Sequence, residues 1–248
     1  MSEDVRQAGP GMDDDSLVRE TLYREYQSGF TGPEAAPYQP RPFHAYLVKT
    51  FAPQRRDATI LDLGCGRGEL VRFLTEAGYT NARGVDGSPS QVAARVTERV
   101  EQGDLFAFLA GVGSGSVECI FCLDVLEHLR RGEGLQFGAE ARRALRDGGA
   151  LVLHVPNAGG LFGGRIRYAD LTHQVAFTSE SLHQWGRACG FSRVECFEDK
   201  PIVHGVVSLI RRVLYEVMRL PFLLFVLAET GSARGVVLSQ GMTVRAWK

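Results

Sequence analysis

The sequence lacks an excess of charge of either sign. Its 28 lysines and arginines stand against 29 aspartates and glutamates, which leaves a net charge of −1 over 248 residues. A chain with this balance has no general attraction to a polyanion. We therefore expect no nucleic-acid partner.

Cysteine is also scarce. The five cysteines are an odd number scattered through apolar segments, which is typical of reduced thiols and predicts a cytoplasmic protein. Cys119 and Cys122 have the spacing of half a zinc site, but no second pair of cysteines or histidines follows at ligand spacing. We expect both thiols to pack in the core.

Long apolar runs are missing as well. A helix needs about 20 apolar residues to cross a bilayer, and the apolar run at residues 220–228 is much shorter. Residues 1–20 are acidic and contain no apolar stretch like that of a signal peptide, so we expect a disordered lead-in there. Residues 21–248 are expected to form a single domain.

What the sequence does contain is a regular alternation of apolar and amphipathic segments. Strands are expected at 58–64, 82–88, 101–104, 117–125, 150–157, 193–199 and 242–248. Helices are expected at 68–78, 88–100, 105–112, 132–149 and 178–190. This alternation predicts an α/β fold, a doubly wound, Rossmann-like sheet of seven strands.

Acidic residues fall at or near the ends of the first four strands. They are Asp62, Asp86, Asp104 and Asp124. In a doubly wound sheet, ligands bind in the crevice beyond the carboxyl ends of the strands. The alignment of the four acids therefore predicts a binding site at that edge.

The stretch ILDLGCGRG places Gly64, Gly66 and Gly68 at alternate positions directly after a strand. A dinucleotide-binding loop would hold a diphosphate at the start of the following helix. Here Asp62 stands just before the turn, and its carboxylate would repel a diphosphate. The loop is better suited to a ligand that carries a positive charge.

Four segments, ILDLGCGRG, GVDGS, QGDL and CLDVLEHL, resemble in this order motifs I to IV of class I S-adenosylmethionine-dependent methyltransferases, types 11 and 23. The resemblance covers residues 59–157 and implies S-adenosylmethionine as cofactor. It implies that Asp62 helps to hold the ammonium group, that Asp86 accepts the ribose hydroxyls and that Asp104 receives the adenine amino group. The cofactor residues implied are Asp62, Gly64, Cys65, Gly66, Gly68, Asp86, Gly87, Ser88, Asp104, Leu105, Leu123 and Asp124. The alternative is that Asp86 and Asp104 only cap helices.

The sequence excludes several classes of acceptor. No PPY follows Asn157, which disfavours methylation of base amino groups, and no Pro-Cys pair is present to attack a pyrimidine carbon. The metal site of catechol-type enzymes needs an acid after the fifth strand, where this chain has Asn157. We expect no metal, although Asp124, Glu127 and His128 remain alternative ligands.

Residues 155–182 resemble a bacterial subgroup of these enzymes that is associated with polysaccharides and other sugar-containing products. The resemblance implies an O-methyltransferase of a saccharide or small-molecule hydroxyl, with 158–177 as a mobile glycine-containing lid. Residues expected to contact the acceptor are Arg165, Arg167 and Tyr168.

His173 is the first candidate for general base, because imidazole can take a proton from an alcohol near neutral pH. Asp170 would orient it, and His128 is the second candidate. The alternative is that Asp170 caps a turn and that His173 only makes structural hydrogen bonds. His154 is expected to be a core residue.

The two remaining segments flank this core. Residues 21–57 are expected to form a helical flap, with Tyr38 and Arg41 either as acceptor contacts or as surface residues that pack the flap. Residues 201–235 form an amphipathic insertion before the last strand, whose residues 206–228 would be a wall of the pocket, a homodimer surface or a helix lying on a membrane. The alternative functions are methylation of a polyketide, quinone or amine, and a non-catalytic cofactor-binding subunit.

Overall fold

The computed structural model describes residues 37–248. Its strands are β1 Thr59–Leu63, β2 Asn81–Asp86, β3 Val100–Gln102, β4 Val117–Leu123, β5 Leu145–Pro156, β6 Arg193–Glu198 and β7 Gly241–Trp247. Its helices are α1 Pro42–Phe51, α2 Glu69–Glu76, α3 Pro89–Ala93, α4 Leu105–Gly111, α5 Arg131–Ala144, α6 Gly163–Arg167, α7 Ser179–Ala188 and α8 Val206–Thr230. A short 3₁₀ helix, Leu126–His128, follows β4. The lead-in predicted at 1–20 and the first part of the flap lie outside the described residues.

The strands form one seven-stranded sheet in the order β3-β2-β1-β4-β5-β7-β6. Strands β1 to β5 pair in parallel, and β7 runs antiparallel between β5 and β6. The doubly wound, seven-stranded α/β fold predicted from the sequence is confirmed. β7 runs antiparallel to β6 because the insertion that joins them leaves β6 and enters β7 at the same end of the two strands.

Apolar side chains fill both faces of the sheet. One cluster, which includes Phe137 and Leu182, packs α5 and α7 against the sheet, and the other packs Leu47 of α1 and Leu74 of α2 against the opposite face. The central strands β1 and β4 are buried on both sides, as parallel strands covered by helices are. Cys119 and Cys122 are both buried free thiols, as expected of core residues.

Two helices end earlier than the sequence predicts. The helix expected at 88–100 ends at Ala93, because the Val96 N–H then donates to the carbonyl of Arg67, which turns the chain toward β3. The helix expected at 132–149 ends at Ala144, and Leu145 already pairs with β4. In both places a long-range hydrogen bond overrides a local helical pattern.

The insertion between β6 and β7 is the 25-residue helix α8. Its polar side chains face the body of the protein: Tyr215 donates to Glu198 at 2.9 Å, and Arg219 forms an ion pair with Glu198 at 2.7 Å. Its apolar side chains face outward, and Phe225 is 68 % exposed. No helix within residues 37–248 is long and apolar enough to cross a membrane.

Candidate active site

Two adjoining clefts open beyond the carboxyl ends of the parallel strands. The first has a volume of about 470 Å³ and the second about 400 Å³. They meet at the turn after β1, since both are lined by Gly64, Gly66 and Asp124. Volumes of this size are those of small-molecule and cofactor sites.

The turn after β1 depends on its glycines for two separate reasons. Gly64, Gly66 and Gly68 all have positive φ angles, a region that favours glycine. A Cβ on Gly64 would lie 2.3 Å from Val125, and one on Gly68 would lie 2.3 Å from Val100. A Cβ on Gly66 would make only an ordinary contact with Gln91 at 3.7 Å, and Gly66 lines the cleft. Gly68 lines neither cleft and is the N-cap residue of α2.

Asp86 fixes the shape of this turn. Its Oδ2 accepts a hydrogen bond from the Gly66 N–H at 2.7 Å, and its Oδ1 accepts one from the Ser88 N–H at 2.8 Å. Each carboxylate oxygen has a further lone pair, so Asp86 can also accept hydroxyl groups from a ligand in the first cleft. Its structural role and its predicted binding role are therefore compatible.

Asp104 combines the same two roles at the end of β3. Its Oδ1 accepts from the backbone N–H groups of Phe106 and Ala107, so it caps α4 as the alternative interpretation expects. Asp104 and the neighbouring Leu105 also line the first cleft. Capping therefore does not remove either residue from the site.

Asp62 is the acid on the side of the second cleft. It is only 3 % exposed, and burial, with the nearby carboxylate of Asp86 as second cause, raises its pKa to about 7. A cation in the second cleft would favour the ionised form of this carboxyl. Asp62 is thus a carboxyl that a cation bound in the second cleft would ionise, whereas Asp86 and Asp104 line the first cleft.

The sequence-predicted cofactor residues converge on these clefts. Those at the first cleft are Gly64, Gly66, Asp86, Gly87, Ser88, Asp104, Leu105, Leu123 and Asp124. Those at the second cleft include Asp62 and Cys65. Gly68 alone of the predicted set lies elsewhere, where it serves the close approach of β3.

Two of the candidate catalytic residues, His128 and His173, lie with Glu127 in a group that reaches the first cleft through His128 and is called the Glu127 cluster. The ring centroids of the two histidines are 4.8 Å apart, and His128 lines the cleft. Burial, with His173 as the next cause, lowers the pKa of His128, so its ring is neutral near pH 7. His173 lies behind it and is not among the described residues that line either cleft.

A hydrogen-bonded chain runs from the Glu127 cluster to Asp170. Thr172 Oγ1 donates to Asp170 Oδ1 at 2.6 Å and lies 2.8 Å from Nδ1 of His128. Asp170 thus acts on His128 through Thr172, whereas its carboxylate is 3.9 Å from Nε2 of His173. The sequence had suggested Asp170 as the partner of His173.

His154 lies beside the site, and its contacts with two acids were not predicted from the sequence, which placed it in the core. Its Nδ1 is 2.6 Å from Asp124 and its Nε2 is 2.7 Å from Asp199. Burial alone would lower the pKa of His154, but the two hydrogen bonds outweigh it and raise this pKa to about 10. A polar residue in the apolar strand ALVLHVPN was the available signal.

The predicted acceptor residues are not gathered in the clefts. Arg165, Arg167 and Tyr168 lie on or beside α6, and Tyr168 is 77 % exposed next to the guanidinium of Arg167. Tyr38 donates to Glu76 on α2, while Arg41 lines the second cleft and pairs with Glu69 at 3.1 Å.

Two of the four glycines of residues 158–177, Gly160 and Gly163, are needed for close packing, whereas Gly164 has open space around it. A Cβ on Gly160 would lie 2.5 Å from the Ser239 carbonyl, and one on Gly163 would lie 2.5 Å from the Ala158 carbonyl. The segment is held at its other end by Glu127, whose carbonyl accepts from the N–H groups of Gln174 and Val175 at 2.7 and 3.1 Å.

Helix α8 lines neither cleft among the described residues. The insertion instead borders a separate cavity of about 370 Å³, to which it contributes Ile202, Val203 and Arg212. Asp199 also lines this cavity and connects it through His154 to Asp124.

The sequence profile of a methyltransferase domain matches residues 35–195, which contain both clefts and the Glu127 cluster. The chain belongs to this methyltransferase family. It is an S-adenosylmethionine-dependent class I methyltransferase, as the four motifs in register predict.

Solved structures have the same fold. The methyltransferase is similar to a SAM-dependent methyltransferase from Archaeoglobus fulgidus, with 20% identity, a TM-score of 0.62, and coverage of 91% of this chain and 99% of that one. It is also similar to phosphoethanolamine N-methyltransferase 2 from Haemonchus contortus in complex with S-adenosylmethionine, with 17% identity, a TM-score of 0.58, and coverage of 95% and 58%.

One curated relative shares part of the sequence. It is an uncharacterised 37.1 kDa protein in transposon TN4556 of Streptomyces fradiae, 37% identical to the methyltransferase over 133 residues. The match covers 50% of this chain and 36% of that protein.

Proposed function

We propose that this methyltransferase transfers a methyl group to an oxygen atom of a saccharide or other small-molecule acceptor. The observation that carries the proposal is the Glu127 cluster at the corner of the first cleft. An alcohol is a poor nucleophile until its proton is removed, and neutral imidazole is suited to removing it. An amine acceptor with a free lone pair needs no such group.

The residues of the two clefts have distinct roles in this proposal. Asp62 binds the ammonium group of the cofactor in the second cleft, and Asp86 accepts the ribose hydroxyls in the first. Asp104 and the backbone of Leu105 contact the adenine. S-adenosylmethionine supplies an already activated methyl group, so the chain has to align the acceptor in line with it and exclude water.

Proton removal is assigned to the two histidines. His173 is the candidate general base, and His128 is the member of the pair that lines the cleft. The hydroxyl of Thr172 and the carboxylate of Asp170 hold the ring of His128 in place. In the transfer, the acceptor O–H proton would pass to imidazole as the oxygen forms its bond to the methyl carbon, while the methyl–sulfur bond breaks and S-adenosylhomocysteine leaves.

The saccharide class of acceptor is supported by residues 158–177. The guanidinium groups of Arg165 and Arg167 and the phenol of Tyr168 supply donors and an aromatic face, which suit a hydroxyl-rich or phosphorylated molecule. The backbone hydrogen bonds to Glu127 bring this segment beside the cluster. The phosphoethanolamine N-methyltransferase among similar structures makes an amine the acceptor to test against.

His173→Ala tests the proposal. We expect turnover of hydroxyl acceptors to fall at least about 100-fold, the scale of general-base catalysis, while calorimetry shows unchanged affinity for S-adenosylhomocysteine. His204→Ala, which removes an exposed histidine outside the site, is the matched control and should keep full activity. Methyl transfer to amines alone, or full turnover in His173→Ala, would contradict the proposal. A chain that binds cofactor but methylates nothing would be the non-catalytic subunit.

A further inference from the structure

The Glu127 cluster contains the side chains of a metal site. One ligand-type atom from each of Glu127, His128 and His173 lies within 4.8 Å of the others. Glu127 is only 2 % exposed, and its Oε2 has no hydrogen-bond partner among the described residues. A buried carboxyl oxygen without a hydrogen-bond partner is costly and calls for a missing partner.

The backbone holds the three side chains together. Glu127 and His128 are adjacent in the 3₁₀ helix after β4, and the Glu127 carbonyl accepts from the N–H groups of Gln174 and Val175. These two bonds fix the residues directly after His173 against the 3₁₀ helix. The ligands therefore come from a rigid element and a segment pinned to it, as a preformed metal site requires.

Each histidine is also oriented by a second partner. The single proton of Thr172 Oγ1 goes to Asp170, so Thr172 accepts the Nδ1–H of His128 at 2.8 Å. The Arg167 carbonyl can only accept, so Nδ1 of His173 is the donor in their 3.3 Å contact. Both rings then carry their lone pair on Nε2, and a hydrogen bond from the other ring nitrogen is typical of metal-ligating histidine.

We propose that Glu127, His128 and His173 bind a divalent transition-metal ion at the edge of the cofactor cleft. Two imidazole nitrogens and one carboxylate oxygen suit Zn²⁺, Co²⁺, Mn²⁺ or Fe²⁺ better than Mg²⁺ or Ca²⁺, which prefer oxygen ligands throughout. Three protein ligands leave a coordination position open, as in catalytic sites. The sequence had predicted no metal because the fifth strand ends in Asn157.

The ion would change how the acceptor is activated, and this consequence rests on the proposed function. An acceptor hydroxyl in the open position would coordinate the ion as a Lewis base, and the ion would lower the pKa of the hydroxyl so that its proton passes to solvent water. His173 would then be a ligand, and its role as general base would apply only to the metal-free protein.

Metal binding is measured on the full chain after removal of metals with a chelator. We expect calorimetry with Zn²⁺ to show one saturable site, and Co²⁺ to give visible absorption bands of a site with nitrogen ligands. Glu127→Gln keeps the side-chain volume and should weaken Zn²⁺ binding at least about 10-fold, and Thr172→Val should weaken it by about 10-fold through the orientation of His128. His204→Ala should bind as the unmodified protein does.

Two results would overturn the metal site: no saturable Zn²⁺ or Co²⁺ binding, or equal binding by Glu127→Gln and the unmodified protein. Thermal unfolding without metal checks that Glu127→Gln is folded. The two proposals fail separately. Turnover of a hydroxyl acceptor by metal-free protein that binds no Zn²⁺ would remove the metal and keep the O-methyltransferase, whereas a Zn²⁺ site without any O-methylation would do the reverse.

Discussion

The cofactor clefts and helix α8 place charge and apolar surface in opposite ways. In the clefts, carboxylates such as Asp62 and Asp86 face the cavity and the apolar side chains of β1 and β4 are buried behind them. On α8, Glu216 and Arg219 face the protein and apolar residues such as Phe225 face outward. One region is arranged around a polar ligand, and the other exposes a surface that water solvates poorly.

The two regions differ in how far contacts within the chain explain their structure. The conformation of the turn after β1 is held by its own glycines and by the hydrogen bonds of Asp86, so contacts within the chain explain it. No contact within the described residues explains why the apolar face of α8 is exposed. An exposed apolar patch is typical of a surface that contacts a partner. His154 joins the two regions, since it contacts Asp124 at the clefts and Asp199 beside the cavity under α8.

The largest effect on stability is expected from replacing His154, which links Asp124 to Asp199. His154→Gln leaves Asp124 and Asp199 without their shared cation and should lower the free energy of unfolding by about 2–4 kcal/mol. The folded-state pKa of His154, about 10, is above its ordinary value of 6.5. The contribution is therefore complete below pH 6.5 and is lost as the pH rises through 10. Denaturant unfolding at pH 6, 8 and 10 should show the gap between variant and unmodified protein shrinking.

His183→Gln is the control for this measurement, because His183 contacts only a carbonyl of its own helix in the described structure. A gap that stays constant with pH would show that His154 contributes through packing rather than through charge.

An intermediate effect is expected at Asp62, on the cleft side of the comparison. The pKa of about 7 means that the folded protein keeps this proton to higher pH than the unfolded chain does. Stability is therefore lost as the pH rises from about 4 to about 7. Asp62→Asn should be more stable than the unmodified protein by about 1–3 kcal/mol at pH 8, yet bind S-adenosylhomocysteine about 10-fold more weakly because a charge-assisted contact is gone.

Thermal unfolding without cofactor and calorimetry at pH 6 and pH 8 check both parts. The unmodified protein should bind S-adenosylhomocysteine more tightly at pH 8, where Asp62 is ionised, and the variant should show no such gain. Asp147→Asn, at a fully exposed acid, provides the control. Equal affinity of the Asp62 variant at both pH values and to the unmodified protein would remove Asp62 from cofactor binding.

The smallest effect on stability is expected on α8. Phe225→Glu should change the free energy of unfolding by less than about 0.5 kcal/mol, since the side chain is mostly exposed. We expect the unmodified protein to self-associate through the apolar face of α8 and Phe225→Glu to abolish this association. Arg212 forms an ion pair with Glu216, and Arg219 forms one with Glu198, so Arg211 is the exposed cation of the described helix. One exposed cation gives little attraction to an anionic membrane. A second copy of this chain is therefore the favoured partner of the apolar face.

Light scattering of the two proteins measures the association, with Arg211→Ala as a control on the same helix. A protein that is monomeric before substitution, or that binds neutral lipid vesicles through this face, would contradict the dimer and favour the membrane interpretation.

The sequence predicted those parts of the fold that are specified locally. The helices expected at 88–100 and 178–190 begin where the sequence places them, since Ser88 and Thr178 are the N-caps of α3 and α7. The ends of α3 and α5 were predicted too late. They depend on contacts between Val96 and Arg67 and between β5 and β4, which no local pattern reveals.

The same distinction between local and long-range contacts applies to the residues of the site. The acids and glycines of the clefts were predictable because each lies at or near the carboxyl end of a strand in a doubly wound sheet. The link from Asp170 through Thr172 to His128, and the bridge made by His154, join residues that are 30 or more positions apart. Their partners could be identified only when the sheet had brought them together.

One carbonyl group has a wide influence on this molecule. The oxygen of Glu127 accepts the two N–H groups that follow His173, so one backbone atom sets the distance between the 3₁₀ helix and the segment that carries His173. A substitution that tilts this peptide plane would displace His173 and Thr172 together, and it would disturb the orientation of His128 without removing any side chain of the site.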